Sequence, residues 1–209
     1  YKTIGGIAIM NWIILSIIII FYSSYYIKLL YQKRSGIKTN ILGQGEKKKS
    51  VIYTEIALKI LTLIAFIIHL YSVILLKNIN ISFLYFVSLL LLTLGTLLLI
   101  ISMVTMRNNW RAGISTSNET SLVVNGIYKY SRNPAFLGFD IFYIGMTISY
   151  PSIINILLLL LLLVVFDFQI RNEEKELIKL FGNEYLNYKK SVRRYLGIYR
   201  NHKNKNPRN

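Results

Sequence analysis

The chain contains no cysteine, three prolines and two histidines in 209 residues. Without thiols there are no disulfides, thiolate nucleophiles or cysteine metal sites, although the compartment stays open. With so few soft ligands, no metal centre is expected. Acids are also scarce: nine face 25 lysines and arginines, for a formal charge of +16. The glycine-rich fingerprint of soluble nucleotide-binding folds is missing too. Gly43-Gln44-Gly45 lies in a basic linker without the strand and helix such a motif requires.

Charge is absent above all from long stretches. Ile4 to Tyr26, Ile52 to Leu76, Ile81 to Met106 and Ser152 to Phe168 are strongly apolar. Each reaches or approaches the roughly 20 residues that span a hydrocarbon core. A fifth stretch, Pro134 to Tyr150, is shorter and carries Asp140. Backbone polar groups must be paired within lipid, so these segments are read as helices. The first lacks a basic leader and a small-residue cleavage site, and reads as a retained span. The expected fold is all-α: a polytopic membrane protein of about five transmembrane helices plus a C-terminal cytoplasmic amphipathic helix.

The positive charge has an orderly distribution. Twenty-two lysines and arginines fall in three blocks, Lys28–Lys49, Arg107–Arg132 and Arg171 onward, while Lys2 and Lys77 fall on the other side. The positive-inside rule makes the three blocks cytoplasmic. That places the N-terminus outside, the C-terminus inside and the Lys77–Asn80 turn outside. The basicity is thus an orientation signal, aided by anionic lipid, and nucleic acid is not an expected partner. The expected partners are the bilayer and a lipophilic small molecule; nothing sets the oligomeric state. Three regions follow: a scaffold over 1–106 with a polar linker at 32–50, a C-terminal half over 107–200, and a tail at 201–209 that reads as disordered.

The C-terminal half holds the informative residues. Pro134 suits the first turn of a helix, and Asn133 suits its N-cap. With Arg132 beside it, such a helix start can hold an anion; an interfacial anchor is the equal alternative. Glu173 and Glu174 follow the last apolar stretch, where a solvated, dipole-favoured turn is the plain reading. Leu177, Phe181, Tyr185, Tyr188, Val192 and Tyr195 then recur at helical spacing, which reads first as packing. His69 reads as a helix-packing group, Asp167 as interfacial, and Asp140 as a polar pocket lining.

Three segments in order resemble the isoprenylcysteine carboxyl methyltransferase family and its phospholipid methyltransferase relatives. They are Leu122-Val123-Val124-Asn125-Gly126-Ile127-Tyr128, then Ser131-Arg132-Asn133-Pro134-Ala135-Phe136-Leu137-Gly138, then Glu173-Glu174 followed by Leu177, Phe181-Gly182, Tyr185, Tyr188-Lys189-Lys190 and Val192. The resemblance covers about Met106 to Leu196. It implies an S-adenosylmethionine-dependent methyltransferase acting on a carboxylate, amine or thiol of a lipid-like or prenylated molecule. Carried over by position, the cofactor pocket comprises Thr120, Ser121, Leu122, Val123, Tyr128, Asn133, Pro134, Ala135, Phe136 and Glu173. Arg132 and Glu174 are the candidate catalytic residues. Asn133 and Phe136 stand where the family has His and Tyr, and Gln169 where its eukaryotic members have a substrate-contacting Arg. Rich Ile, Lys, Asn and Tyr usage suggests a bacterial-type member, in an inner membrane. A sterol-type NADPH reductase and a non-catalytic transporter or accessory subunit are the alternatives.

Overall fold

The computed structural model describes residues 2–45, 47–76, 82–113 and 121–198, and for 2–8, 10 and 82 the backbone alone. Five helices follow in order: α1 (Lys2–Arg34), α2 (Lys49–Leu75), α3 (Ser82–Met106), α4 (Pro134–Ser149) and α5 (Ile153–Ser191). Short 3-10 turns occupy Arg107–Asn109 and Gly126–Lys129. Four helices are long and apolar enough to cross a membrane: α1, α2, α3 and α5. The fifth expected span, α4, has 16 residues, about 24 Å at 1.5 Å per residue. That is shorter than the hydrocarbon core, so α4 depends on its neighbours at both ends. The Lys77–Asn80 turn and the 201–209 tail lie outside the described residues.

The bundle is apolar outside as well as inside. Along α5, Leu158, Leu162, Phe166 and Ile170 are buried, while Ile153, Leu157, Leu160, Leu161, Val164 and Phe168 are exposed. An exposed face that long suits lipid and not water. Aromatic stacking fixes the middle of the core. Phe21 of α1 lies parallel to Phe142 of α4 at 3.7 Å between centroids, and Tyr143 stacks on Phe166 of α5 at 6.0 Å.

α3 and α4 make the closest pair. A Cβ built on Gly95 would lie 2.6 Å from the carbonyl oxygen of Gly138, and one on Gly138 would lie 2.8 Å from the carbonyl oxygen of Gly95. Only two glycines allow the backbones this near, as at small-residue contacts between membrane helices.

The polar linker is tied down at both ends. Ile41 N–H donates to the Ala112 carbonyl and Ala112 N–H to that of Thr39, each at 2.9 Å. Gln32, fully buried, donates to the Trp110 carbonyl at 3.2 Å. The loop between α1 and α2 and the loop after α3 therefore form one layer at one end of the bundle. Next to it, Glu55 near the start of α2 accepts from Lys47 at 2.8 Å and from Gly43 N–H at 2.7 Å.

The amphipathic stripe starts before a kink at Gly182 and runs past it into a second helical stretch. It continues α5, which runs 39 residues from Ile153 to Ser191 with one non-helical residue, Gly182 (φ 51°). Beyond Ser191 the chain leaves the helix, so Tyr195 sits in a turn that Val192 and Ile198 close as a bridge.

Candidate active site

The loop layer and the adjoining ends of the helices surround a cavity of about 480 Å³, within the range of sites for ligands of cofactor or drug size. Ser121, Leu122, Val123, Tyr128, Asn133, Ala135, Phe136 and Glu173 all line it. The structure therefore brings together eight of the ten residues assigned to a cofactor pocket from sequence. Pro134 opens α4 but is not on the wall, and Thr120 lies outside the described residues.

Each wall has a local cause. Asn109 holds Ser121 through paired bonds, accepting from its N–H and donating to its hydroxyl, both at 3.0 Å. This places Ser121 to Val123 beside the end of α3. Tyr188, one and a half turns past Gly182, donates its hydroxyl to the Tyr128 carbonyl at 2.6 Å. That bond pins the 3-10 turn. Burial, with the Tyr188 hydroxyl and Glu173 nearby, pushes the Tyr128 phenol up, so it stays neutral and a hydrogen-bond donor.

Asn133 occupies the N-cap position of α4, but its side chain caps nothing there. It donates instead to the Arg194 carbonyl at 3.2 Å, because the returning C-terminal segment offers a nearer acceptor. Backbone bonds reinforce this return: Arg132 N–H to Arg193 O and Asn133 N–H to Arg194 O, each at 3.1 Å, and Gly197 N–H to Tyr130 O at 2.7 Å. The first turn of α4 is left with no cap from Asn133, and its Ala135 and Phe136 face the cavity. Such a helix start remains a donor surface for a polar ligand.

Arg132 reaches the cavity wall, but its guanidinium is already engaged. Nε and Nη2 donate to Glu174 Oε1 at 3.2 and 2.6 Å, and Nη1 donates to the carbonyls of Lys189 and Val192. Both side chains are buried, at 5% and 4% exposure. Glu174 also accepts from Arg194 at 2.9 Å, and this bond holds Arg194 firmly as a cation. Asp167 joins through Arg194 at 3.3 Å and Arg171 at 2.6 Å. Glu174 itself is behind the wall. The two candidate catalytic residues thus bind each other and lock the returning segment to α5.

Glu173, on the adjacent face, is different. It lines the cavity and receives one bond, from Gln169 Nε2 at 2.9 Å, and no cation pairs with it among the described residues. The cavity's other acid, Glu176, is paired with Lys179. The wall also includes residues that sequence reading did not select: Trp110 and Arg111 of the second loop, and Tyr22, Tyr25, Tyr26, Lys59 and Phe66 of α1 and α2. The i, i+3, i+4 spacing of the three tyrosines is the signal that marks them as one face. His69 is buried elsewhere, its Nδ1 3.2 Å from the Tyr22 hydroxyl.

Comparison with known proteins points the same way as this geometry. Residues 86–179 match the model of the Isoprenylcysteine carboxyl methyltransferase (ICMT) family. Protein-S-isoprenylcysteine O-methyltransferase of Saccharomyces cerevisiae is 34% identical over 106 residues, covering 49% of this chain and 44% of that protein. The namesake from Schizosaccharomyces pombe is 39% identical over 72 residues, 34% of this chain and 30% of that one. That from Dictyostelium discoideum is 38% identical over 72 residues, with the same coverage. The chain spans less than half the length of these eukaryotic relatives. The segment from α3 to the first part of α5, with the cavity wall it builds, carries the sequence pattern of the isoprenylcysteine carboxyl methyltransferase family.

Proposed function

We propose that this chain is an integral membrane methyltransferase that uses S-adenosylmethionine and acts on a lipophilic acceptor. The observation that carries this reading is Glu173, a half-buried acid with one hydrogen bond and no ion pair among the described residues, on the wall of an aromatic cavity. A ligand bearing positive charge satisfies it. S-adenosylmethionine has an ammonium and a sulfonium, and aromatic faces attract cations as well. A nicotinamide dinucleotide would bring phosphates toward the same carboxylate, which disfavours the reductase alternative.

The bound cofactor supplies an electrophilic methyl on a sulfonium. The protein's part is placement and exclusion of water. Glu173 orients the ligand's cationic end. The uncapped start of α4 offers N–H groups to its polar atoms. Leu122, Phe136 and Phe181 enclose its flat apolar part. Arg132 and Glu174 act as positioning residues that keep the α4 start and the returning segment in register. The names of the relatives suggest an oxygen acceptor, and the wall agrees. Its two acids are the Glu173 assigned to the cofactor and the Glu176 paired with Lys179. An amine would need a base, whereas a carboxylate is already a nucleophile. Gln169 is fully buried and bonded to Glu173, so at this position a neutral amide braces the cofactor residue.

We place the two cytoplasmic loops and the C-terminus in the cytoplasm on the positive-inside distribution. A bacterial inner membrane is the setting that composition supports.

Titration calorimetry of the purified protein should show binding of S-adenosylmethionine and not of NADPH, and Glu173→Ala should weaken it about tenfold or more. The labelled methyl should pass to N-acetyl-S-farnesylcysteine or to a membrane lipid extract. Heat from NADPH alone would overturn the reading.

A further inference from the structure

Three cations line the cavity among its described residues: Lys59, Arg111 and Arg132. Two are committed within the protein. Arg132 is held by Glu174 and two carbonyls. Arg111 donates to the carbonyls of Asn108 and Trp110. The Lys59 ammonium has no hydrogen bond or ion pair with the described residues.

The local sequence makes this notable. Glu55, one turn earlier on α2, is the acid that would ordinarily pair with a lysine at i+4. It is fully buried and bonded to Lys47 and Gly43 N–H instead. Lys59 is ten residues along α2 from Lys49, about 15 Å from the helix start. From Ile60 to Leu76 the sequence has no charged residue, so Lys59 marks the level at which the polar end of α2 gives way to its lipid-length run. Around it, the wall continues with Tyr25 and Tyr26 of α1 and Thr62 and Leu63 of α2. An ammonium at the polar edge of an apolar cleft matches the anionic end of an amphiphile whose tail lies deeper.

We propose that Lys59 pairs with the acceptor's carboxylate and so selects an anionic substrate over its methylated product. This rests on the methyltransferase reading. On transfer, the carboxylate oxygen forms a bond to the methyl carbon as the carbon–sulfur bond of the sulfonium breaks. The products are a neutral ester and a neutral thioether, and no proton moves. The ester has no charge for Lys59 to hold. One side chain therefore both recruits the substrate and favours release of the product.

The test compares an acid with its ester in direct binding, independently of turnover. The protein is reconstituted in phosphatidylcholine vesicles. N-acetyl-S-farnesylcysteine and its methyl ester are titrated on a Trp12→Phe background, with the fluorescence of Trp110 on the cavity wall as readout. The wild type should bind the acid about tenfold or more tightly than the ester. Lys59→Met should remove that preference by weakening acid binding alone, and Lys59→Arg should restore most of it. S-adenosylmethionine affinity should be unchanged in both variants, which separates failure here from failure of the methyltransferase reading. Equal binding of acid and ester by the wild type, no binding of the acid, or an unchanged preference in Lys59→Met would overturn the proposal. The last result would assign Lys59 to simple snorkelling toward the headgroups.

Discussion

Arg132 and Glu174 show how chemistry-bearing residues can serve architecture. A guanidinium fork suits a carboxylate in a way that a lysine ammonium does not. Here it grips Glu174 and two carbonyls of the segment after Gly182. Replacing Glu174 with Gln should leave the buried Arg132 guanidinium without its counter-charge, and Arg194 with Asp167 alone, at a cost of about 3–5 kcal/mol. Thermal unfolding in detergent should show the loss, and Arg132→Lys should not rescue the wild-type stability of the clamp because it lacks the fork. Both residues were legible in the sequence as important. Their pairing was not, because 42 positions separate them and only the α4–α5 hairpin brings them together. Glu173 was expected on a pocket wall, and it lines the cavity. Lys59 reads along the chain as an isolated charge, and it gains meaning only when Glu55 is seen to be occupied.

At the scale of elements, helix length and apolarity were readable, and caps and contacts were less so. The boundaries of α2 and α3 follow their hydropathy closely. Asn133 was expected to cap α4, but the competing acceptor comes from Arg194, which local sequence cannot reveal. The α3–α4 contact depends on Gly95 and Gly138, whose carbonyl oxygens lie where the partner's Cβ would sit. Gly138→Leu must force these helices apart. Overpacking of this kind costs about 1–3 kcal/mol or more. We expect a lower melting temperature and weaker cofactor binding, since α4 begins at the cavity. Gly138→Ala should give a smaller loss in the same assay. Gly182 adds an element boundary that hydropathy does not show: its positive φ turns the last part of α5 without ending it.

At the scale of the molecule, the sequence suggested a division of labour between an N-terminal scaffold and a C-terminal working half. The cavity does not respect that division. Tyr22, Tyr25 and Tyr26 of α1 and Lys59 and Phe66 of α2 share its wall with Tyr128 and Glu173. The basic loops and the residues proposed for the cofactor lie at one end of the bundle, around the same cavity. The proposed orientation has a clean test, since the chain has no cysteine to interfere. Single cysteines at Gly36 and Lys129 should react with an impermeant maleimide only in inverted vesicles. Labelling of either in intact cells would reverse the topology.

The returning segment has a consequence in time. Residues 193–197 supply the carbonyls and N–H groups that hold Arg132, Asn133 and Tyr130, yet they are among the last described residues to be synthesised. All five helices can enter the membrane before this strap leaves the ribosome. In order of synthesis, the five helices therefore precede the segment that fastens the site. Any message truncated just past α5 would yield a protein that is correctly embedded but has an unfastened site.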